Sequence, residues 1–534
     1  MRKTKTILIM FVLLLSFVIA ACSDETKSSK SSNTGGGDNT LNFALSGDIV
    51  SLDPAFSYDF TTNPVVTQIT EGLLYFDAEG QIQPLLAESW ENPDPLTYIY
   101  NIRKDVKFSD GTPMTVEDVL FSMERIKDPA TASYVGWMYA NVDKIEKTDE
   151  WSIKVTLKQP DTLWRYVLAT TGGHVVSKNY YESHKDNFGK PDGGVMGTGP
   201  FEYVEWKTGS EISLKKNENY WDTSGGPYLD KVVFKVLPEG TTTVTGLKTG
   251  QVTATIGLPL DLIPVVQEME NVQIDMVDSW LNDFVVMNMS RPPFDDINVR
   301  KAMNYALDKQ KILDEIVKDS GSPAKAVPIA PATWVFEKDA WQAAYDKLPD
   351  YSFDIDKAKQ YLAKSSVPNG FSATILTEGN TLKLNTALAL QAAVKPLGIN
   401  LEIEKATSEE VNTRAFSGER DYDILMQSWG ADFPDPVGNL QPVFHSNNRG
   451  DGGSNFANYS NSQVDQYLDK QSVLTDDKIR TELMIKAETI IAEDTPWIMI
   501  DHPKQILASN KNLEGYNITG LWYWDSFTKN MKFK

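Results

Sequence analysis

One cysteine in 534 residues, four histidines and no excess of positive charge exclude several functions at once. A lone cysteine cannot form an internal disulfide. His174, His184, His445 and His502 are scattered, so a multi-histidine metal site has no local support. Lys and Arg number 51 against 73 Asp and Glu, a formal net charge of -22. A body that acidic is expected to avoid nucleic acid and anionic lipid rather than seek them. Catalytic signatures are missing as well: there is no Gly-x-Ser-x-Gly elbow, no His-Glu-x-x-His and no Gly-x4-Gly-Lys-Ser/Thr loop. Gly197-Thr-Gly199-Pro200 lacks the third glycine of a dinucleotide fingerprint. After residue 21 no second long hydrophobic run occurs. These absences move the reading from catalysis towards binding, with no cofactor and no metal expected.

What is present begins at the amino terminus. Arg2, Lys3 and Lys5 precede an apolar run over residues 7–21, and Ile19-Ala-Ala-Cys22 follows. A basic start, an apolar stretch too short to span a bilayer and small residues before a cut site describe an export signal. Ile-Ala-Ala-Cys resembles a bacterial lipobox, which implies lipidation at Cys22 after removal of residues 1–21. Residues 22–40 are rich in Ser, Lys and Gly and read as a flexible linker from the lipidated cysteine to the folded body. The expected location is the extracytoplasmic face of the cell membrane, held there by the lipid.

Residues 41–534 mix helix and strand signals. Trp151, Ile153, Val155 and Leu157 alternate with polar residues, as do Leu96, Tyr98, Tyr100 and Ile102, and both segments read as half-buried strands. Thr115-Val-Glu-Asp118 offers a capping box for a helix reaching Ile126. Val299, Ala302, Met303 and Ala306 have helical spacing, residues 384–395 read as a helix closed by Gly398, and 477–492 as another. Between these last two, residues 422–429 read as a strand. Several such blocks imply an α/β fold with mixed sheets. Thirteen Trp and 21 Tyr are many for this length, and aromatics both fill cores and line pockets for partly apolar ligands.

Seven segments, in order, resemble one family: Gly72-Leu-Leu-Tyr75, Pro84-Leu-Leu-Ala-Glu-Ser-Trp90, the run from Tyr98 to Pro113, Gly197-Thr-Gly-Pro-Phe201, Asn219-Tyr-Trp221, the run from Arg291 to Asp308, and Trp429-Gly-Ala-Asp-Phe-Pro-Asp-Pro436. By these residues the chain is similar to the family 5 extracellular solute-binding proteins, which serve peptide and nickel ABC transporters. The resemblance implies a type II periplasmic-binding-protein clamshell with an inserted extra lobe: a discontinuous first lobe (41–75, 190–280 and 503–534), a second lobe (76–189) and a third (281–502). It further implies a non-catalytic, monomeric receptor that binds peptides in a closing cleft and passes them to the permease of an ABC importer. In peptide-binding members an aspartate after a strand-borne tryptophan pairs with the ligand's α-ammonium, and Trp429-Gly430-Ala431-Asp432 matches that motif. Trp429 would wall the first pocket. Asn455 stands where such proteins place a polar group near the ligand terminus. Asp53 through Tyr58, Gly197 with Thr198, and a rim loop over 328–334 ending at Trp334 are further candidates. Asp435, Arg300, Glu88 and Trp90 are expected to be structural. Dipeptide-selective members carry an arginine ahead of a helix like 384–395; this chain has Lys383-Leu-Asn385 there, which favours longer peptides. A nickel-chelate receptor would need a cleft histidine, for which His445 is the candidate, and a peptide-pheromone sensor would differ only in its ligand.

Overall fold

The computed structural model describes residues 39–534. The signal segment, Cys22 and nearly all of the linker lie outside the described residues. The largest sheet has twelve strands. Its ordered path runs Asn400–Ala406, Ser372–Glu378, Ile424–Gly430, Leu281–Met287, Trp497–Asn510, Ala254–Ile256, Thr40–Leu45, Lys231–Val236, Glu211–Lys216 and Phe201–Lys207. Trp497–Asn510 is the strand that joins the two halves of this path. Its first residues pair with Leu281–Met287, from Val286 opposite Trp497 to Asp283 opposite Asp501. Its last residues pair with Val272–Asp278, from Asp278 opposite Lys504 to Val272 opposite Asn510. The short stretches 279–280 and 502–503 therefore carry both chain passages between the two halves of the sheet, and Ser279 donates its hydroxyl to the Pro503 carbonyl there.

The half of the sheet around Ile424–Gly430 is buried on both faces. Phe284, Val286, Leu376, Leu425, Trp497 and Met499 point into one core, and Val285, Met287, Ile375, Ile424, Met426 and Ile498 into another. This is the period-2 alternation of a strand applied to a nearly continuous apolar run, which only a two-sided covering can bury. Helices Ile297–Ala306, Ile355–Leu362 and Thr381–Val394 cover the second face. Ser408–Phe416, Ser462–Ser472 and Asp477–Asp494 cover the first. A separate antiparallel sheet of Ala87–Asp94, Thr97–Ile102, Ser152–Leu157 and Val142–Asp149 packs under helix Val116–Lys127.

Local chemistry sets these boundaries. The Thr115 amide and hydroxyl both donate to Asp118, at 2.9 and 2.6 Å, which closes the expected capping box. The helix expected from residue 384 starts three residues earlier, because the Asn380 side chain accepts from the Lys383 amide at 2.9 Å. It ends where expected, with Gly398 at φ 78°. The strand expected from residue 422 starts at Ile424, since the carbonyls of Arg420 and Tyr422 are taken by the Asn288 amide. Arg300 is 3 % exposed and donates to the carbonyls of Asp494, Phe294 and Asp295, a structural role as expected. Trp90 packs against the core, whereas Glu88 points to solvent and packs nothing.

Candidate functional site

Two adjoining chambers, of about 520 and 720 Å³, open where the segment after Tyr58, the end of strand Ile424–Gly430 and the carboxyl-terminal turn Trp522–Trp524 converge. Tyr58, Trp429, Asp432, Gly452 and Ser454 line both chambers and so mark their junction. The smaller chamber continues past Trp280, Leu281, Gln427 and Gly430 to Tyr523 and Trp524. The larger is the more polar in lining, with Asn141, Gln159, Asp161, Gln441 and Gln471 beside Trp137.

Each junction residue is held from behind. Asp53 accepts from the Ala55 amide at 3.0 Å and shapes the turn that delivers Tyr58. Trp429 donates its indole N–H to the Gly438 carbonyl at 2.9 Å and lies edge-on to Phe456. A Cβ on Gly430 would come within 2.8 Å of Leu281 Cδ2, so a side chain there would push another lining residue aside. Asp432 is fixed through its main chain, whose carbonyl accepts from the Trp524 indole at 3.2 Å. Its carboxylate faces the hydroxyls of Tyr58 and Tyr523. Burial pushes its pKa up to about 6, and the Tyr58 hydroxyl, by donating to it, holds that rise back. Among the described residues no lysine, arginine or histidine forms an ion pair with it. A half-buried carboxylate with a single neutral donor, facing a cavity, is a place where a ligand cation gains most.

The other expected site residues lie elsewhere. Thr198 is fully buried and donates to Glu71 at 2.8 Å. Glu71 also accepts from the Tyr220 hydroxyl and the Trp221 indole, each at 2.8 Å. Burial pushes the Glu71 pKa up to about 7 against these three donors. Two of the sequence motifs thus meet at one internal carboxyl, away from the chambers. Asn455 is also fully buried: its amide donates to the carbonyls of His445 and Tyr459 at 3.2 and 2.9 Å and accepts from the Tyr459 amide. It holds the loop from which Gly452 and Ser454 reach the junction. Trp334 lines a separate cavity of about 430 Å³ on the far side of Trp280 and packs edge-on to Tyr345. Asp53 itself is bound at both oxygens by Arg125, at 2.6 and 2.7 Å. Lys383 pairs with Glu378 and lines neither chamber. Asp435 is structural, buried against Arg480 at 2.8 Å.

Tyr523, Trp524, Trp137 and Asp161 line the chambers without having been singled out. Leu521-Trp-Tyr-Trp524 was the available signal, an aromatic cluster at the end of the chain. His445 bonds Asp469 at 3.0 Å and lines neither chamber. No group of three or more His, Cys, Asp or Glu among the described residues is arranged to hold a metal ion.

Comparison with known proteins gives a consistent result. Residues 81–451 match the model of the bacterial extracellular solute-binding proteins, family 5 middle. The chain is 28 % identical to heme-binding protein A of Haemophilus influenzae, with 94 % of each chain aligned. It is 28 % identical to the glutathione-binding protein GsiB of Escherichia coli, over 90 % of this chain and 93 % of that one. Among solved structures it resembles the ABC transporter-associated periplasmic binding protein DppA from Helicobacter pylori in complex with the peptide STSA. That likeness has a TM-score of 0.77 and 27 % identity, covering 92 % of this chain and 98 % of the other.

Proposed function

Because the chain belongs to the bacterial extracellular solute-binding proteins of family 5, we propose that it is a receptor for peptides, captured by their free α-amino group on Asp432. As a member of that family it is a solute-binding protein of an ABC importer and not an enzyme. Peptide is the ligand class we infer, and the observation that carries it is Asp432, a carboxylate with no cation partner at the junction of two chambers. An ammonium brought there from water replaces its hydration with a charge-assisted hydrogen bond, worth about 1.5–3 kcal/mol. Peptide main chain and side chains then extend past the aromatic and amide groups of the two chambers, where bridging water tolerates varied sequences. A nickel chelate has less to recommend it, since the candidate histidine lines neither chamber and is engaged with Asp469 at the outer edge of the larger one.

The test is the pH dependence of affinity. Burial holds the Asp432 pKa up at about 6 in the free protein. A bound ammonium favours the ionised carboxyl and lowers that pKa, so binding below pH 6 must expel a proton. Calorimetry with a free-amine peptide is therefore expected to show its highest affinity between about pH 6.5 and 7.5, with a loss approaching tenfold per pH unit below about pH 6 and a second loss above about pH 8, where the peptide's α-amino group gives up its proton. The N-acetylated peptide should show no such loss, since burial without a cation favours the protonated carboxyl. Parallel profiles for the two peptides would overturn the assignment.

Tethering completes the proposal: Cys22 carries the lipid that holds the receptor at the membrane surface, with residues 23–40 as the spacer. Cys22→Ala is expected to move the protein from the membrane fraction to the soluble one. Retention of the variant in the membrane fraction would contradict the anchor.

A further inference from the structure

The charge of the chamber walls is one-sided. Their lining contains the carboxylates of Asp59, Asp161, Asp432 and Asp469 and, among the described residues, no lysine, arginine or histidine. Two of the four are already committed. Asp59 accepts from the amides of Thr61 and Thr62 at 2.8 and 2.7 Å. Asp469 bonds His445 and is 67 % exposed at the outer edge. The nearest arginine in sequence to Asp161, Arg165, is spent on Asp477 and Asp435 at 3.0 and 3.4 Å.

Asp161 is the one that remains. Its Oδ1 accepts from the Leu163 amide at 3.0 Å and its Oδ2 from the Asn141 amide group at 2.8 Å. A carboxylate offers roughly four acceptor positions, so about two stay open towards the larger chamber. No cation of the protein pairs with it. Trp137 lies in the same chamber, 48 % exposed, and meets Tyr58 edge-on with ring centroids 6.2 Å apart. An indole and a carboxylate that line one chamber attract a lysine ammonium or an arginine guanidinium, the one by its ring quadrupole and the other by charge.

We propose that the larger chamber is a second cation subsite, centred on Asp161 and Trp137, which makes this receptor selective for basic peptides. The inference rests on the reading of Asp432 as the α-ammonium partner and adds to it the side-chain charge of the ligand. An anionic ligand fares badly in the same walls. A buried carboxylate without a counter-cation loses its hydration with nothing to replace it. Glutathione carries two carboxylates against one ammonium and heme two propionates against none, so both ligands named for the two curated relatives bring an excess of negative charge to this lining. The net charge of -22 adds a long-range potential of the same sign, which draws cations towards the protein.

Calorimetry on a polyalanine peptide with a free amino group, scanned in turn with lysine and with glutamate, tests the proposal. At one or more positions lysine is expected to tighten binding about tenfold or more over alanine, and glutamate to weaken it by a similar factor. The lysine advantage should shrink as salt is raised. In Asp161→Asn, which keeps the size of the side chain and an acceptor for the Leu163 amide, the ratio of lysine to alanine affinities should fall close to one. Equal affinities for lysine, alanine and glutamate peptides in the wild-type protein would overturn the second subsite and leave the peptide reading intact. An unchanged ratio in Asp161→Asn would remove Asp161 from it. Failure of every free-amine peptide to bind would overturn the peptide reading and this inference with it.

Discussion

Asp435→Asn is expected to cost about 3 kcal/mol of stability, read as a shift in the chemical denaturation midpoint. Asp435 is fully buried and faces Arg480, whose side chain is 1 % exposed, at 2.8 Å. Removing the charge leaves a guanidinium in a dry site with only the half-buried Asp477 to balance it, also at 2.8 Å. That remaining partner places the loss at the lower end of the range for broken buried pairs, about 3–5 kcal/mol. The amide oxygen of the new side chain can still accept from the Val437 amide, as Asp435 does at 3.1 Å, so the turn itself survives. Adding Arg480→Met should recover part of the loss, because a buried ion pair replaced as a whole by apolar groups is often close to neutral. A single variant within about 0.5 kcal/mol of wild type would show that Asp435 carries no such burden. The loop that carries Asp432 should stay in place, since the Asp435 amide donates to the Phe433 carbonyl at 2.7 Å, a main-chain bond that the substitution keeps.

Local patterns revealed much of the fold. Tyr98, Tyr100, Ile153 and Val155 are buried at the alternating positions that the sequence shows, because a one-sided sheet must put every second residue into its core. Capping residues gave helix starts to within a few positions; the miss at residue 384 came from overlooking Asn380 as a cap. The site was legible only in part. Trp429, Gly430 and Asp432 lie in one stretch of chain at the end of a strand, so a single motif names all three. Thr198 and Asn455 are candidates only through the family resemblance, Asn455 because such proteins place a polar group near the ligand terminus at that point of the chain. In the folded chain each satisfies buried groups of the protein instead, and sequence does not distinguish an internal hydrogen bond from one made to a ligand. Trp524 meets Asp432 across 92 residues of sequence, and Asp161 shares a chamber with Asp432 from still farther away. No periodicity reports a meeting of that kind; the sheet crossing near residues 279–280 and 502–503 creates it.

The central claim is that Asp432 holds a peptide's α-ammonium, and a calorimetric cycle of Asp432→Asn against N-acetylation tests it most directly. Folding does not confound the comparison. Burial already disfavours the Asp432 carboxylate, raising its pKa from 3.8 to about 6. Above pH 6 the ionised group therefore costs the free protein stability, and Asp432→Asn should melt no lower than wild type at neutral pH. Free-amine peptide should lose about 2–5 kcal/mol on going to the variant, roughly 30- to several-thousand-fold in affinity. The acetylated peptide should bind wild type weakly and lose little more. A coupling of about 2 kcal/mol or greater between the two changes is the expected result. Equal losses for the free and acetylated peptides, with a coupling near zero, would contradict the account and leave Asp432 only a part of the loop that shapes the cleft.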